Sequence, residues 1–341
     1  MPTEGAISPH AALRICTEAA TVTFKTAARK VNQDWGTRLD AKQIQRWSEH
    51  TGDRLVDERE HALALKEKNH VLPPCKLNEH ELLVIGMDGG RVQNRLKNQD
   101  DSHWCENKVL TVTSYRLGDG TDEHPPEKVI SSYVATMENA EHFGKLARLE
   151  AERRGIRRAR QTIILGDGAS WIDTIADKHF PACERIVDWY HASEHLHEVA
   201  KAAHPGDESK LNELWERLKS RLWEGEFDGL LIELRSLSER SGEPPTKCIE
   251  NDPRKVLKRN VGYFERHKER MDYPRYRKNG WPVGSGVVES GVKLFNKRVK
   301  GTEQFWTTKG VESILALRAA WLSDETEFYH QLYAQPNKWA A

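Results

Sequence analysis

Three short stretches of this chain concentrate residue types able to do chemistry. Met87-Asp88-Gly89-Gly90 and Leu165-Gly166-Asp167-Gly168 each set an aspartate between an apolar run and a glycine. A carboxylate at the end of a buried strand is costly to desolvate unless it faces a cavity or a cation. Glycine beside it lets a bulky substrate or its phosphates approach the backbone. Two such aspartates on neighbouring strands would make a hard-oxygen site suited to Mg2+ or Mn2+, whereas either one alone reads as an ordinary turn. A third carboxylate is available in Gly284-Ser285-Gly286-Val287-Val288-Glu289-Ser290, where Ser285 or Gly286 can cap a helix and Glu289 falls in its first turns. There Glu289 would also complement the positive end of the helix, whether or not it does chemistry.

A further stretch, Asp188-Trp189-Tyr190-His191-Ala192-Ser193-Glu194-His195-Leu196-His197-Glu198, contains H-x-x-E-H, the pattern of inverted zinc peptidases. His191 and His195 are four residues apart and would share a helical face. The pattern is short, however, in a chain with 15 histidines. A strand over Arg185–Val187 would also put His191 in the first turn of the next helix or at its cap. The apolar stripe Ala192, Leu196, Val199, Ala203 leaves the histidines at the margin of a buried face.

These residues need elements to position them. Residues 8–72 read as helical, with segments Phe24–Val31 and Ala41–Trp47 joined by a turn over Gly36–Asp40 in which Asp40 is placed as an N-cap. The pair fits a helix-turn-helix and equally a plain helical hairpin. Pro73-Pro74 ends the region. Glu81–Met87, Lys108–Tyr115 and Lys128–Thr136 suit strands. Glu138–Arg154 suits a helix with Ala140, Phe143, Leu146, Ala147 and Leu149 toward a core. A strand over Gln161–Leu165, a short helix from Ile172, the short strand at 185–187 and a helix from about Ala192 to Ala203 follow. Three strands, helix, strand, helix, strand is an α/β order with a mixed sheet. From Ser209 to Asp272 the chain is helical, broken at Gly242–Pro245, and a last helix begins near Val287.

The chain has 341 residues, enough for two or three domains. Its 30% charged residues predict an extensive surface, and 11 Trp, 8 Tyr and 8 Phe supply core anchors that a disordered chain lacks. No run approaches the roughly 18 apolar residues of a membrane span, and the N-terminus has no signal-peptide core. Five scattered cysteines without a C-x-x-C pair argue against a structural zinc finger and predict reduced thiols in a cytoplasm. The 52 basic and 52 acidic residues cancel, but Arg254–Lys300 holds fourteen Lys/Arg against four Asp/Glu, a local charge of +10. For a phosphate backbone as partner, local density matters more than the total.

Asp88, Asp167 and Glu289, within this strand order, resemble the acidic triad of ribonuclease H-like DDE transposases. More narrowly, Gly166–Ile172, Asp188-Trp189-Tyr190-His191 and 284–290 resemble the Mutator-like bacterial insertion-sequence transposases of the ISKra type. These carry an Asp/Cys-x-x-His element after the second aspartate and a helical insertion before the glutamate. The spacings agree, with 79 residues from Asp88 to Asp167 and 122 from Asp167 to Glu289. The resemblance covers roughly residues 20–322 and implies five segments. They are an N-terminal helical, helix-turn-helix-like region (1–75), the first part of a ribonuclease H-like core (76–203), an all-helical insertion (204–279), the second part of the core with the glutamate helix (280–322) and a tail (323–341).

The activity so implied is phosphodiester hydrolysis at transposon ends followed by attack of the freed 3′-hydroxyl on target DNA. Two Mg2+ (or Mn2+) ions about 4 Å apart would serve it, with Asp88 bridging both, Asp167 holding one and Glu289 the other. Asp188 and His191 would support that site or touch DNA, leaving Glu194, His195 and His197 as ordinary helix residues. Lys293, Lys297, Arg298 and Lys300 after Glu289 could neutralise phosphates, and Phe305-Trp306 could stack on unpaired bases or be core. Arg254, Lys255, Lys258, Arg259, Arg275, Arg277 and Lys278 could extend the track, and Arg153, Arg154, Arg157 and Arg158 form another patch. The resemblance also implies double-stranded DNA as partner, a dimer or larger assembly on it, and a bacterial cytoplasmic, nucleoid-associated location. The alternatives are a nuclease or resolvase of the same fold without strand transfer, and a shortened or domesticated DNA-binding derivative without catalysis.

Overall fold

The computed structural model describes residues 7–70, 80–98, 100–121, 123–284, 286–301 and 304–323. Pro73-Pro74, Cys75, Ser285 as a helix cap and the expected tail after Ser323 lie outside them. Three helices come first, α1 (Pro9–Thr21), α2 (Phe24–Trp35) and α3 (Ala41–Asn69). Three long strands follow, β1 (His80–Gln93), β2 (Trp104–Arg116) and β3 (Glu127–Thr136), then α4 (Ala140–Arg153), β4 (Ala159–Gly166), α5 (Ser170–His179), β5 (Glu184–Val187) and α6 (Trp189–Ala203). The helical stretch comprises α7 (Glu208–Trp223), α8 (Phe227–Ser241), α9 (Pro253–His267) and α10 (Tyr273–Lys278), and α11 (Gly286–Val299) and α12 (Thr308–Ser323) close the described chain.

The architecture is a mixed α/β one, with a five-stranded sheet in the order β3-β2-β1-β4-β5. The first three strands form an antiparallel meander, while β4 and β5 run parallel to β1. Strand periodicity divides β1 between two cores. Leu83, Ile85 and Met87 meet α4 and α5 through Phe143, Leu146 and Ile175. Leu82 and Val84 meet the opposite layer, where Leu196, Leu218, Leu230, Leu257 and Phe264 bring α6 to α9 together. Gly86 and Asp88 share the second face.

Two boundaries differ from expectation in ways that bear on the site. β1 does not stop at Met87. It pairs with β2 as far as Gln93↔Trp104, so Asp88, Gly89 and Gly90 lie inside a β-ribbon, while pairing with β4 ends at Gly86↔Leu165. Antiparallel pairing carries the strand past glycines that propensity alone reads as a terminus. Helix α6 starts at Trp189 rather than Ala192 because the Asp188 side chain caps it, accepting from the His191 backbone N–H at 2.7 Å. The Asp-x-x-His spacing is therefore that of an N-cap and its N3 residue.

At the N-terminus Asp40 caps α3 as expected, in a reciprocal capping box with Gln43, and Gly36 ends α2 at φ 63°. Beyond Trp47, α3 continues to Asn69. The N-terminal helices share a buried cluster with the sheet and α11–α12. Leu13, Cys16 and Ala20 pack with Val109, Phe295, Trp306 and Leu315. A methyl group at Gly52 of α3 would fall 2.1 Å from the Ser313 carbonyl oxygen of α12, so the two helices cross backbone to backbone there. Cys16, Cys105, Cys183 and Cys248 are free thiols, and among the described residues no helix is long and apolar enough to cross a membrane.

Candidate active site

Register brings the two aspartates together. Gly86 and Leu165 are paired on adjacent parallel strands, so two residues on, just after the strands part, Asp88 and Asp167 emerge on the same face. Each carboxylate is held by a backbone amide close by in the chain. Asp88 accepts from Gly89 N–H at 2.6 Å and Asp167 from Ala169 N–H at 2.8 Å. Glycine at 86 lets α11 lie directly on β1, since a side chain there would meet Val288 Cβ at 2.9 Å and Thr111 Oγ1 at 2.6 Å. Glu289 follows Val288 and is delivered beside Asp88.

The Asp88 carboxyl is pushed up from 3.8 to about 6, first by burial and then by the charges of Asp167 and Glu289, against the pull of the Gly89 amide and of His191. Three expected groups, Asp167, Glu289 and His191, are thus close enough to Asp88 to act on its proton. Glu289 also lies 3.5 Å from Lys293 Nζ, and His191 Nδ1 lies 3.5 Å from Glu194. Asp188, 1% exposed, is tied into the same corner, with its N–H on the Gly166 carbonyl at 2.8 Å and Trp189 N–H on Val283, just before the glutamate helix.

Hard carboxylate oxygens crowded on one face until they repel are the donor chemistry a divalent cation takes, and Asp88, Asp167 and Glu289 are the side chains that would hold it. Among the described residues no three His, Cys, Asp or Glu side chains already form a single ligand sphere. His195 lies flat on the Tyr263 ring at 3.8 Å and its Nδ1 is 2.6 Å from Asn260 Oδ1, so it is committed to packing.

The expected DNA track divides in two. Lys293, Lys297 and Lys300 are exposed along one side of α11, with Lys300 5.2 Å from the Trp104 ring. Arg298 and Trp306 are corrected, because they point inward. Arg298 is 1% exposed, donates from Nε to the Ala19 carbonyl at 2.5 Å and sits between the Phe24 and Trp306 rings. Trp306 is 6% exposed and donates to the Val299 carbonyl. Arg298 stands in a basic run of the sequence, but it shares the buried side of α11 with Phe295 and Val299. Other expected cations are engaged within the chain: Arg254 with Asp252, Lys255 with Glu250, Lys258 with Glu243, Arg259 with Glu198, Arg275 with Glu184, Arg154 with Glu150 and Arg157 with Glu152.

Sequence reasoning passed over Asn260, Tyr263 and His267 of α9, which lie in the buried stripe Val256, Leu257, Asn260, Tyr263, Phe264, His267. Tyr263 donates its hydroxyl to the Asp167 carbonyl at 3.1 Å. The available signal was the pair of polar residues, Asn260 and His267, interrupting an otherwise apolar helical face.

Residues 14–327 match the model of an uncharacterised protein family, UPF0236, and the chain belongs to that family. No curated protein matches it.

Proposed function

We propose that this member of UPF0236 is a DDE-type DNA transposase, using Asp88, Asp167 and Glu289 to cleave phosphodiester bonds at element ends and join them to target DNA. The observation that carries the reading is the convergence of these three carboxylates. They come from a meander strand, the parallel strand beside it and a helix laid over Gly86, and burial, with the charges of Asp167 and Glu289 added to it, lifts Asp88 to about 6. Three antiparallel strands followed by two parallel crossovers, with a helical stretch between β5 and the glutamate helix, is also the arrangement that a ribonuclease H-like core implies.

Mg2+ or Mn2+, bound in two positions, would supply Lewis acidity at the scissile phosphate. The chain's own residues do the rest. Asp88, Asp167 and Glu289 would be the residues that hold these ions, Asp88 in its deprotonated form. Asp167 is oriented by the Ala169 amide. Lys293, 3.5 Å from Glu289, would lie where it can also meet a phosphate. Lys297 and Lys300 continue the line along α11 and hold the DNA backbone in register. Two copies of the chain would bring the two ends together.

The test is cleavage and joining of duplex oligonucleotides carrying the inverted repeats that flank the gene, with Mg2+. Asp88→Asn, Asp167→Asn and Glu289→Gln should each fall to background while still binding the duplex. Activity unchanged in all three variants would sink the proposal, and cleavage without joining would favour a nuclease or resolvase.

A further inference from the structure

The turn that carries Asp167 is held by the helical insertion as well as by the sheet. Asp167 and Gly168 follow β4 with Gly168 at φ 85°, a backbone conformation that costs L side chains energy and so leaves a glycine turn free to move unless something fixes it. Three contacts fix it. The Asp167 side chain accepts from Ala169 N–H, Tyr263 Oη donates to the Asp167 carbonyl, and the His267 ring closes over Gly168, where a methyl group would come within 3.1 Å of it. Tyr263 is itself held. His195 stacks on it at 3.8 Å and 24°. Asn260 Nδ2 donates to the Glu198 carboxylate at 3.2 Å and the Val256 carbonyl at 2.9 Å. Both are acceptors only, so Asn260 Oδ1 is left to accept the His195 Nδ1 proton. A second tyrosine of the insertion, Tyr273 of α10, holds the end of β5 by donating to the Val187 carbonyl at 3.0 Å.

We infer that the insertion is a clamp on the acidic site, in which Tyr263 is a positioning residue that sets the Asp167 carboxylate for metal through the Asp167 main chain. The inference rests on the metal-dependent reading above. Neither Tyr263 nor the residues behind it reaches the reacting atoms, since Tyr263 is 7% exposed and Asn260 fully buried. Their effect runs through the turn.

Mn2+ binding followed by electron paramagnetic resonance reads this without activity. Tyr263→Phe keeps the ring stack and loses one hydrogen bond. It is expected to bind Mn2+ about three- to tenfold more weakly, the effect of one neutral hydrogen bond, and to melt only a few degrees lower, far less than Tyr263→Ala. The Mg2+ concentration for half-maximal cleavage should rise by the same factor while KM for DNA stays put. Tyr263→Ala, which also opens a cavity, serves as the packing control. Mn2+ affinity of Tyr263→Phe equal to wild type, with only Tyr263→Ala impaired, would reduce Tyr263 to packing and overturn the clamp. Wild-type protein that binds no Mn2+ at all would instead overturn the metal-enzyme reading on which the clamp stands.

Discussion

Asp88 holds a proton in the folded chain up to about pH 6 that the unfolded chain releases near 3.8. Between those values folding takes up a proton. The metal-free protein therefore loses stability as pH rises through that window, and above it the deficit persists. Asp88→Asn removes the deficit. It should abolish cleavage, yet raise the stability of the metal-free protein at pH 7.5 by about 1–2 kcal/mol, measured by denaturant melts. At pH 4 the two proteins should melt alike. Mg2+-dependent cleavage should climb as pH passes 6, since cation and proton compete for the same oxygen. The candidate carboxylates could be picked out in the sequence because two aspartates share one context, an apolar run before and a glycine after, where either alone reads as a turn. The inward turn of Arg298 could not be, for it depends on Ala19, Phe24 and Trp306 facing it across the fold, and the cap role of Asp188 was hidden behind a helix start placed three residues late.

Helix α11 has two functional sides, and substitutions separate them. Lys297→Ala, on the exposed side, should leave the fold intact and reduce the salt dependence of DNA binding by about one phosphate contact. Arg298→Ala, one residue on, should leave DNA contacts alone but cost about 2–4 kcal/mol, because the Ala19 carbonyl loses its partner and a gap opens between Phe24 and Trp306. Gly86→Val tests the seat of the helix. It should lift α11, lower stability by about 1–3 kcal/mol and reduce cleavage more than DNA binding, as overpacking displaces Glu289. Strand and helix types followed from periodicity at most positions, including the buried face of α4. The extension of β1 to Gln93 did not, since only its partner strand shows that Gly89 and Gly90 are paired.

Across the whole molecule the N-terminal helices are joined to the last ones. Removing residues 1–36 should produce insoluble or unfolded protein, read by solubility and circular dichroism, rather than a folded core that merely fails to find element ends. Val109, Phe295 and Leu315 would lose the cover of Leu13, Cys16 and Ala20. A sequence shows that such faces are apolar but not which distant face covers which. The local +10 of Arg254–Lys300 was misleading for the same reason, because acidic partners such as Glu184, Glu198, Glu243 and Glu250 lie outside that window.

Arg298 and Arg318 both donate to the last carbonyls of α1, at Ala19 and Ala20. Those partners are some 280 and 300 residues apart in order of synthesis. At about 5–20 residues per second, the first helix waits roughly 15–60 s on the ribosome before its partner exists. Folding of this protein cannot finish from the front. A message cut short before residue 298 leaves a first helix with neither arginine, so a truncated copy of the gene yields a chain that chaperones and proteases must clear.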